Sequence, residues 1–179
     1  MDALEERELA GEQVFDGKLL NVWCDRVRLP DGTEGKREYI RHPGAVVVVA
    51  VLPERRIVFE RQFRYPLRRT FIELPAGKID SGENILDCAQ RELREETGYE
   101  ATEWRHVGVM HPCIGYSDER IEIFLAKGLN YLGHRRDAGE FLEILTKTQA
   151  EAEAAIHAGE ITDGKSIVAL YRCLPLIGD

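Results

Sequence analysis

GKIDSGENILDCAQRELREETGY, residues Gly77 to Tyr99, decides how the rest of the chain is read. It packs Arg91, Glu92, Glu95 and Glu96 into six residues behind a Gly-rich turn. From Glu83 the stretch predicts a helix of about four turns. Ser81-Gly82 supply the turn, Glu83 sets a carboxylate near the positive end of the helix, and Gly98 stops it. Ile85, Leu86, Ala89 and Leu93 recur at helical spacing and predict a core-facing side. Glu92 and Glu96 stand four residues apart with Glu95 beside them, and like charges at that spacing cost a helix a few tenths of a kcal/mol per pair. Arg91 can partner Glu95, which leaves Glu92 and Glu96 as a like-charged pair. The plain alternative is a solvated acidic face. Two or three carboxylates on one face are also what a hard cation such as Mg²⁺ requires, and such a cation would bring positive charge to a phosphate.

At 179 residues, with 44% hydrophobic and 31% charged content, the chain has the size and composition of a soluble globular protein. A net charge of −8 argues against general nucleic-acid and membrane-surface binding. Cys24, Cys88, Cys113 and Cys173 are scattered without a Cys-x-x-Cys pair, so reduced thiols in a cytoplasm are expected. The acidic start MDALEERELAGE has no apolar run, so neither a signal peptide nor a membrane span is expected.

Residues 1–12 are polar and expected to be mobile or a short helix. Val14 to Leu29 alternates as a strand does, Pro30-Asp31-Gly32 turns, and Lys36 to Arg41 returns. AVVVVAVL, Ala45 to Leu52, predicts a central strand buried on both faces. Ile57 to Phe63 predicts its neighbour. Arg61, Arg64, Arg68 and Arg69 then crowd a short loop, which is either a solvated basic turn or a phosphate or ribose clamp suited to guanidinium geometry. Phe71 to Pro75 predicts a strand delivering Ala76-Gly77. Further strands are expected at Trp104 to Met110, Ile121 to Ala126 and Phe141 to Leu145. Helices are expected over Thr148 to Ala158 and from about Gly164 to Leu174, with Pro175 ending the second. This order of strands, one acidic helix, strands and helices predicts an α+β chain.

The 77–99 stretch resembles the Nudix box, G-x5-E-x7-R-E-U-x-E-E-x-G-U with U apolar. It fits as Gly77, Glu83, Arg91, Glu92, Leu93, Glu95, Glu96, Gly98 and Tyr99, with an aromatic residue in the last slot. A chance match to the seven strict positions is on the order of 10⁻⁸ per starting point. Beyond the box, the chain resembles the ADP-ribose pyrophosphatase branch of the Nudix hydrolases. The resemblance covers roughly residues 12 to 175 and rests on Arg41-His42-Pro43-Gly44-Ala45, Arg61-Gln62-Phe63-Arg64, Glu73-Leu74-Pro75-Ala76-Gly77, Ser117-Asp118-Glu119 and Glu140-Phe141-Leu142-Glu143-Ile144. It departs from the branch at Pro112-Cys113-Ile114-Gly115, where two residues part the Pro and Gly, and at Ala138, where some relatives carry an acid.

The resemblance implies a Nudix fold, a mixed-sheet α/β/α sandwich over residues 44–179, with a β-rich N-terminal extension over residues 1–43. That extension is expected to dimerise by strand exchange. The activity implied is Mg²⁺-dependent hydrolysis of a nucleoside diphosphate sugar, with Mn²⁺ as a substitute metal. ADP-ribose is favoured over GDP-mannose or a broad range of nucleotide sugars. A non-catalytic nucleotide-sugar sensor is the alternative of another class, against which the intact box weighs. Glu92, Glu96, Glu140 and the Ala76 carbonyl are the implied metal ligands. Glu95 completes the cluster, Arg91 positions carboxylates with Glu83 as its partner, and Glu140 is the favoured base. Arg64, Arg41, Glu73 and Glu119 are the implied substrate contacts.

Overall fold

The computed structural model describes residues 2–133 and 141–178. The chain divides into two compact units, Met1–Pro43 with His111–Arg120, and Gly44–Met110 with Ile121–Asp179.

In the first unit, β1 (Arg7–Asp16), β2 (Asn21–Arg28) and β3 (Glu34–Ile40) form an antiparallel meander in that order. Gly32 turns the chain between β2 and β3 at φ +86°, a conformation that favours glycine. Ile40 bridges Ser117, which brings the 111–120 segment onto the end of β3. β1 corrects the expectation of a mobile or helical start. All ten of its residues are exposed, and its pairing with β2 slips at Glu8/Ala10 and at Gln13/Phe15. With no buried face and a broken alternation, its sequence carries little strand pattern. Backbone pairing with β2 holds it instead.

The second unit is built on β4 (Ala45–Ala50), whose six residues are all buried. β4 pairs in parallel with β9 (Ile121–Tyr131) and antiparallel with the short β7 (Ala76–Lys78), and β8 (Tyr99–Met110) completes the order β7-β4-β9-β8. A second sheet runs β10 (Leu142–Thr148), β5 (Arg56–Arg64), β6 (Arg69–Glu73). Side chains alternate across a strand, so β4 serves two cores. Val47 and Val49 meet α2 (Gln149–His157) and α3 (Gly164–Ile177) through Ala152, Ala155, Ala169 and Leu170. Val46, Val48 and Ala50 meet α1 (Ile85–Glu92) through Cys88 and Ala89, and also pack with Leu93 just beyond it. One mixed sheet and one antiparallel sheet, with helices on both faces of β4, make this the expected α+β arrangement.

Several elements differ from expectation, and β8, β9 and β10 all run longer than the sequence suggests. Pro175 lies inside α3, which continues to Ile177. Proline in a last turn removes one backbone hydrogen bond, while Ile177 is buried against the core and Leu174 and Leu176 pack beside it. The packing outweighs the lost bond. β7 was not separately expected, because three residues are too few to show a period.

The link from β6 to β7 is fixed by a serine. The Leu74 amide donates to Ser166 Oγ at 2.8 Å, and that hydroxyl donates onward to Asp163, the N-cap of α3, at 2.6 Å. Leu74 and Ser166 are both fully buried. Ser166→Ala would leave the Leu74 amide without its partner, and thermal unfolding should show a loss of about 1–3 kcal/mol.

Candidate active site

The site begins where β7 runs into the turn before α1. Asn84 caps α1 by accepting the Leu86 amide at 2.9 Å, so the α-helix starts after Glu83 and not at it. The Glu83 amide instead closes a turn onto Asp80, whose own amide donates to the Glu83 carboxylate. After Glu92 the helix changes winding, and Leu93–Thr97 form a π turn. Such turns bond one residue further along than an α-helix and are frequent at functional sites. The Thr97 hydroxyl donates to the Leu93 carbonyl, and Gly98 ends the segment at φ +79°, as its position in the sequence predicts.

Both like-charged carboxylates reach β7. The Ala76 amide donates to Glu96 Oε2 at 3.0 Å. Glu92 lies so close to Gly77 that a Cβ placed there would meet the Glu92 carboxyl carbon at 2.0 Å. A Cβ at position 77 would therefore push aside the Glu92 carboxylate, the free end of a flexible side chain. Arg91 gathers the remaining acids. It binds Glu83 with two bonds of 2.8 and 2.9 Å, and its Nη1 donates to Glu92 at 2.7 Å and Glu95 at 3.2 Å. The Arg91 hydrogen bonds hold Glu83 down to about 2, and those to Glu83 raise the guanidinium in turn. Burial pushes the Cys88 thiol up to about 12, which makes it inert as a nucleophile.

Behind this group lies a second one. Glu60 and Glu73 face each other across β5 and β6, and both are buried. Arg64 grips Glu73 with two bonds of 2.7 Å, and Lys165 at the start of α3 also donates to it. Burial alone would raise Glu73, but Arg64 and Lys165 hold it below its ordinary value. Glu60 accepts no hydrogen bond from either cation. Burial, then Glu73 next to it, push it up to about 7, against the charges of Lys165 and Arg64 and the neighbouring Glu96 carboxyl, which lower it.

The donor set fits a hard divalent cation. Glu92 and Glu96 offer oxygen ligands beside the Ala76-Gly77 backbone, and Glu60 supplies buried acceptors that no N–H or hydroxyl donor among the described residues reaches. Among the described residues no three His, Cys, Asp or Glu side chains stand as a ready-made metal cage. Glu140 lies outside the described residues.

The other residues singled out in the sequence divide between the units. Arg64, Glu73, Arg91, Glu92, Glu95, Glu96 and Ala76 belong to the second. Arg41 and Glu119 belong to the first. Arg41 stacks on Trp23 at 3.5 Å and donates to the Tyr39 hydroxyl. Glu119 stands 3.8 Å from His42, whose amide donates to Asp118. The crowded arginines are engaged one by one. Arg61 pairs with Glu143, Arg68 lies over Tyr65 and Arg69 over Phe71. Sequence reasoning passed over Glu60 and Lys165. The signal for Glu60 was a carboxylate directly after Ile57-Val58-Phe59 in the strand expected beside the central one.

Residues 41–170 match the NUDIX domain family, and residues 6–40 match the nucleoside diphosphate sugar hydrolase N-terminal domain. A Bacillus subtilis (strain 168) protein named ADP-ribose pyrophosphatase is 41% identical over 172 residues, covering 95% of this chain and 93% of its own. A Bacillus methanolicus protein named methanol dehydrogenase activator is 39% identical over 168 residues, covering 93% and 91%. The crystal structure of an ADP compounds hydrolase superposes with a TM-score of 0.88 at 20% identity, over 99% of this chain and 97% of that one.

Gly77→Ala would place a methyl where the Glu92 carboxyl now sits. The Glu92 carboxylate would swing aside at little cost to the fold. Mn²⁺ titration of the variant should show weaker binding, because Glu92 is displaced, while its melting temperature should change little.

Proposed function

As the chain belongs to the Nudix hydrolase family, we propose that it hydrolyses the diphosphate linkage of a nucleoside diphosphate sugar, ADP-ribose first, to AMP and ribose 5-phosphate. The observation that carries this is the convergence of Glu92 and Glu96 on Ala76-Gly77, with Arg91 bracing Glu92 from the helix side. The Bacillus subtilis relative supports the choice of ADP-ribose by its name and by the extent of the match.

Members of the family use a divalent cation. Here Mg²⁺, or Mn²⁺ in its place, would be held by Glu92, Glu96 and the Ala76 carbonyl, with Glu140 as a further ligand or the base. Bound there, it would neutralise phosphate charge and polarise the phosphorus centre. Water adds to one phosphorus and the bridging P–O bond breaks. Glu140 is assigned to take the water proton and Glu95 to hold water at the cluster. Arg91 keeps the carboxylates oriented and does not touch substrate. Arg64 and Arg41 are assigned to phosphate and ribose, and Glu73 and Glu119 to hydroxyl or base donors.

The N-terminal unit, residues 1–43, is assigned to homodimerisation. β1 is exposed along its whole length, and Leu9, Val14, Phe15, Leu19 and Leu20 are exposed apolar side chains on or beside it. Residues 44–179 are assigned to hydrolysis. Four free cysteines support a reducing cytoplasm as the working compartment. No helix among the described residues is long and apolar enough to cross a membrane.

Phosphate release with a coupled phosphatase should show Mg²⁺-dependent turnover of ADP-ribose ahead of GDP-mannose, ADP-glucose, UDP-glucose, a diadenosine polyphosphate and dGTP. Glu92→Gln and Glu96→Gln should each lower kcat by about 10²–10⁴-fold, the range of a positioned carboxylate's contribution. Near-normal turnover in either variant at saturating Mg²⁺ sinks the mechanism. Tight binding without cleavage of any substrate makes the chain a sensor. Light scattering at micromolar concentration should give twice the chain mass, and a monomer alone would rule out the dimer.

A further inference from the structure

Among the described acids of the second unit, Glu60 is the one with both carboxylate oxygens buried and unserved by any N–H or hydroxyl donor. It is 0% exposed, and the polar group within its reach is another acid, Glu96. The neighbouring carboxylates are already served. Glu73 has Arg64 and Lys165. Glu92 and Glu95 have Arg91. Glu96 has the Ala76 amide. Glu60 sits among these groups, directly opposite Glu73 in the sheet and beside Glu96. Its strand places Val58, two residues earlier on the same face, in the core that α1 covers, so Glu60 occupies a position where an apolar side chain would pack. Like charges directly opposite across a sheet are destabilising, and a buried acceptor without a donor is more so. A fold keeps such a group where something bound supplies the missing positive charge.

We propose that Glu60 is part of the cation site as an outer carboxylate behind Glu96, so that the bound cation is what compensates it. This rests on the assignment of Glu92 and Glu96 as ligands under the proposed function. Glu60 is a positioning residue. Its charge strengthens the hold on the cation and helps fix Glu96, while in the metal-free protein it remains a buried acid that Arg64 and Lys165, bonded to Glu73, offset only in part, and it weakens the fold. The inference therefore predicts two effects of opposite sign from one substitution.

The test uses the full chain stripped with EDTA, as wild type, Glu60→Gln, Glu60→Leu and Glu96→Gln. Mn²⁺ binding is read by the free-ion electron paramagnetic resonance signal, and melting is followed with and without Mn²⁺. Glu60→Gln should bind Mn²⁺ about 10–100-fold more weakly than wild type, the usual loss for an outer partner of a ligand. In EDTA, Glu60→Gln and Glu60→Leu should melt above wild type by about 3 °C or more, and Mn²⁺ should close or reverse that gap. The isosteric Gln variant carries the test if the Leu variant does not fold. If Glu60→Gln titrates as wild type does while Glu96→Gln binds weakly, Glu60 is merely a buried neutral carboxyl and the inference is overturned. If wild type and Glu96→Gln titrate alike, the ligand assignment itself fails and this inference falls with it.

Discussion

One guanidinium organises the acidic centre. Arg91 holds Glu83 with a two-bonded fork and reaches Glu92 and Glu95 with its remaining donors. A planar fork of fixed geometry can do this, and a lysine cannot. The consequence is structural before it is chemical. Glu83 lies outside the helix and Glu92 and Glu95 on it, so Arg91 pins the preceding turn to the helix. With the turn fixed, β7 is held where Ala76 and Gly77 meet Glu96 and Glu92. In and behind this centre six carboxylates (Glu60, Glu73, Glu83, Glu92, Glu95 and Glu96) meet three cationic side chains, Arg91, Arg64 and Lys165. Under the proposed function a divalent cation would supply further positive charge.

The change from α to π winding at Leu93 belongs to the same arrangement. Glu92 ends the α-helix, and Glu95 and Glu96 lie in the wider turn. A wider turn shifts successive side chains relative to an α-helix, so Glu92 and Glu96 are not spaced as four residues of α-helix would space them. The core anchors each side of the transition, with Ala89 before it and Leu93 and Thr97 within it, all buried. Thr97 returns its hydroxyl to the Leu93 carbonyl, which satisfies a backbone group at the irregular turn. The irregularity is therefore supported on both sides by packing and by a hydrogen bond.

Much of this was legible in the chain. A run of six β-branched or small residues can only be a strand covered on both sides, and Ala45–Ala50 is one. The spacing of Gly77, Glu83, Arg91 and the glutamates named the chemistry, and the Arg91–Glu83 pair followed from it. What was not legible has physical reasons. β1 buries nothing, so no hydrophobic period marks it. β7 is too short to have a period. The π turn leaves no mark in residue type, because Leu93, Glu95 and Glu96 would suit an α-helix equally well. The spatial role of Gly77 depends on a neighbour fifteen residues away. Glu60 was visible as an anomaly, a carboxylate in an apolar run, but its meaning depends on Glu73 and Glu96, which only the sheet register and the π turn bring beside it.

The distribution of positive charge explains why an arginine-rich loop does not replace a cation. The chain carries a net charge of −8, and its proposed substrate is an anion. Arg61, Arg64, Arg68 and Arg69 look in sequence like a ready phosphate clamp. In the fold Arg61 faces Glu143, Arg64 is held by Glu73, and the other two lie over aromatic rings. Lys165 is shared between Glu73 and Asp163. Each of these side chains is oriented by its partner and part of its charge is already balanced. Under the proposed function they would recognise a substrate's shape through their remaining donors and would do little to neutralise charge developing at phosphorus. Recognition and charge neutralisation would then fall to different groups: the arginines, already oriented by ion pairs and rings, and a cation beside Glu92 and Glu96, which converge on Ala76-Gly77.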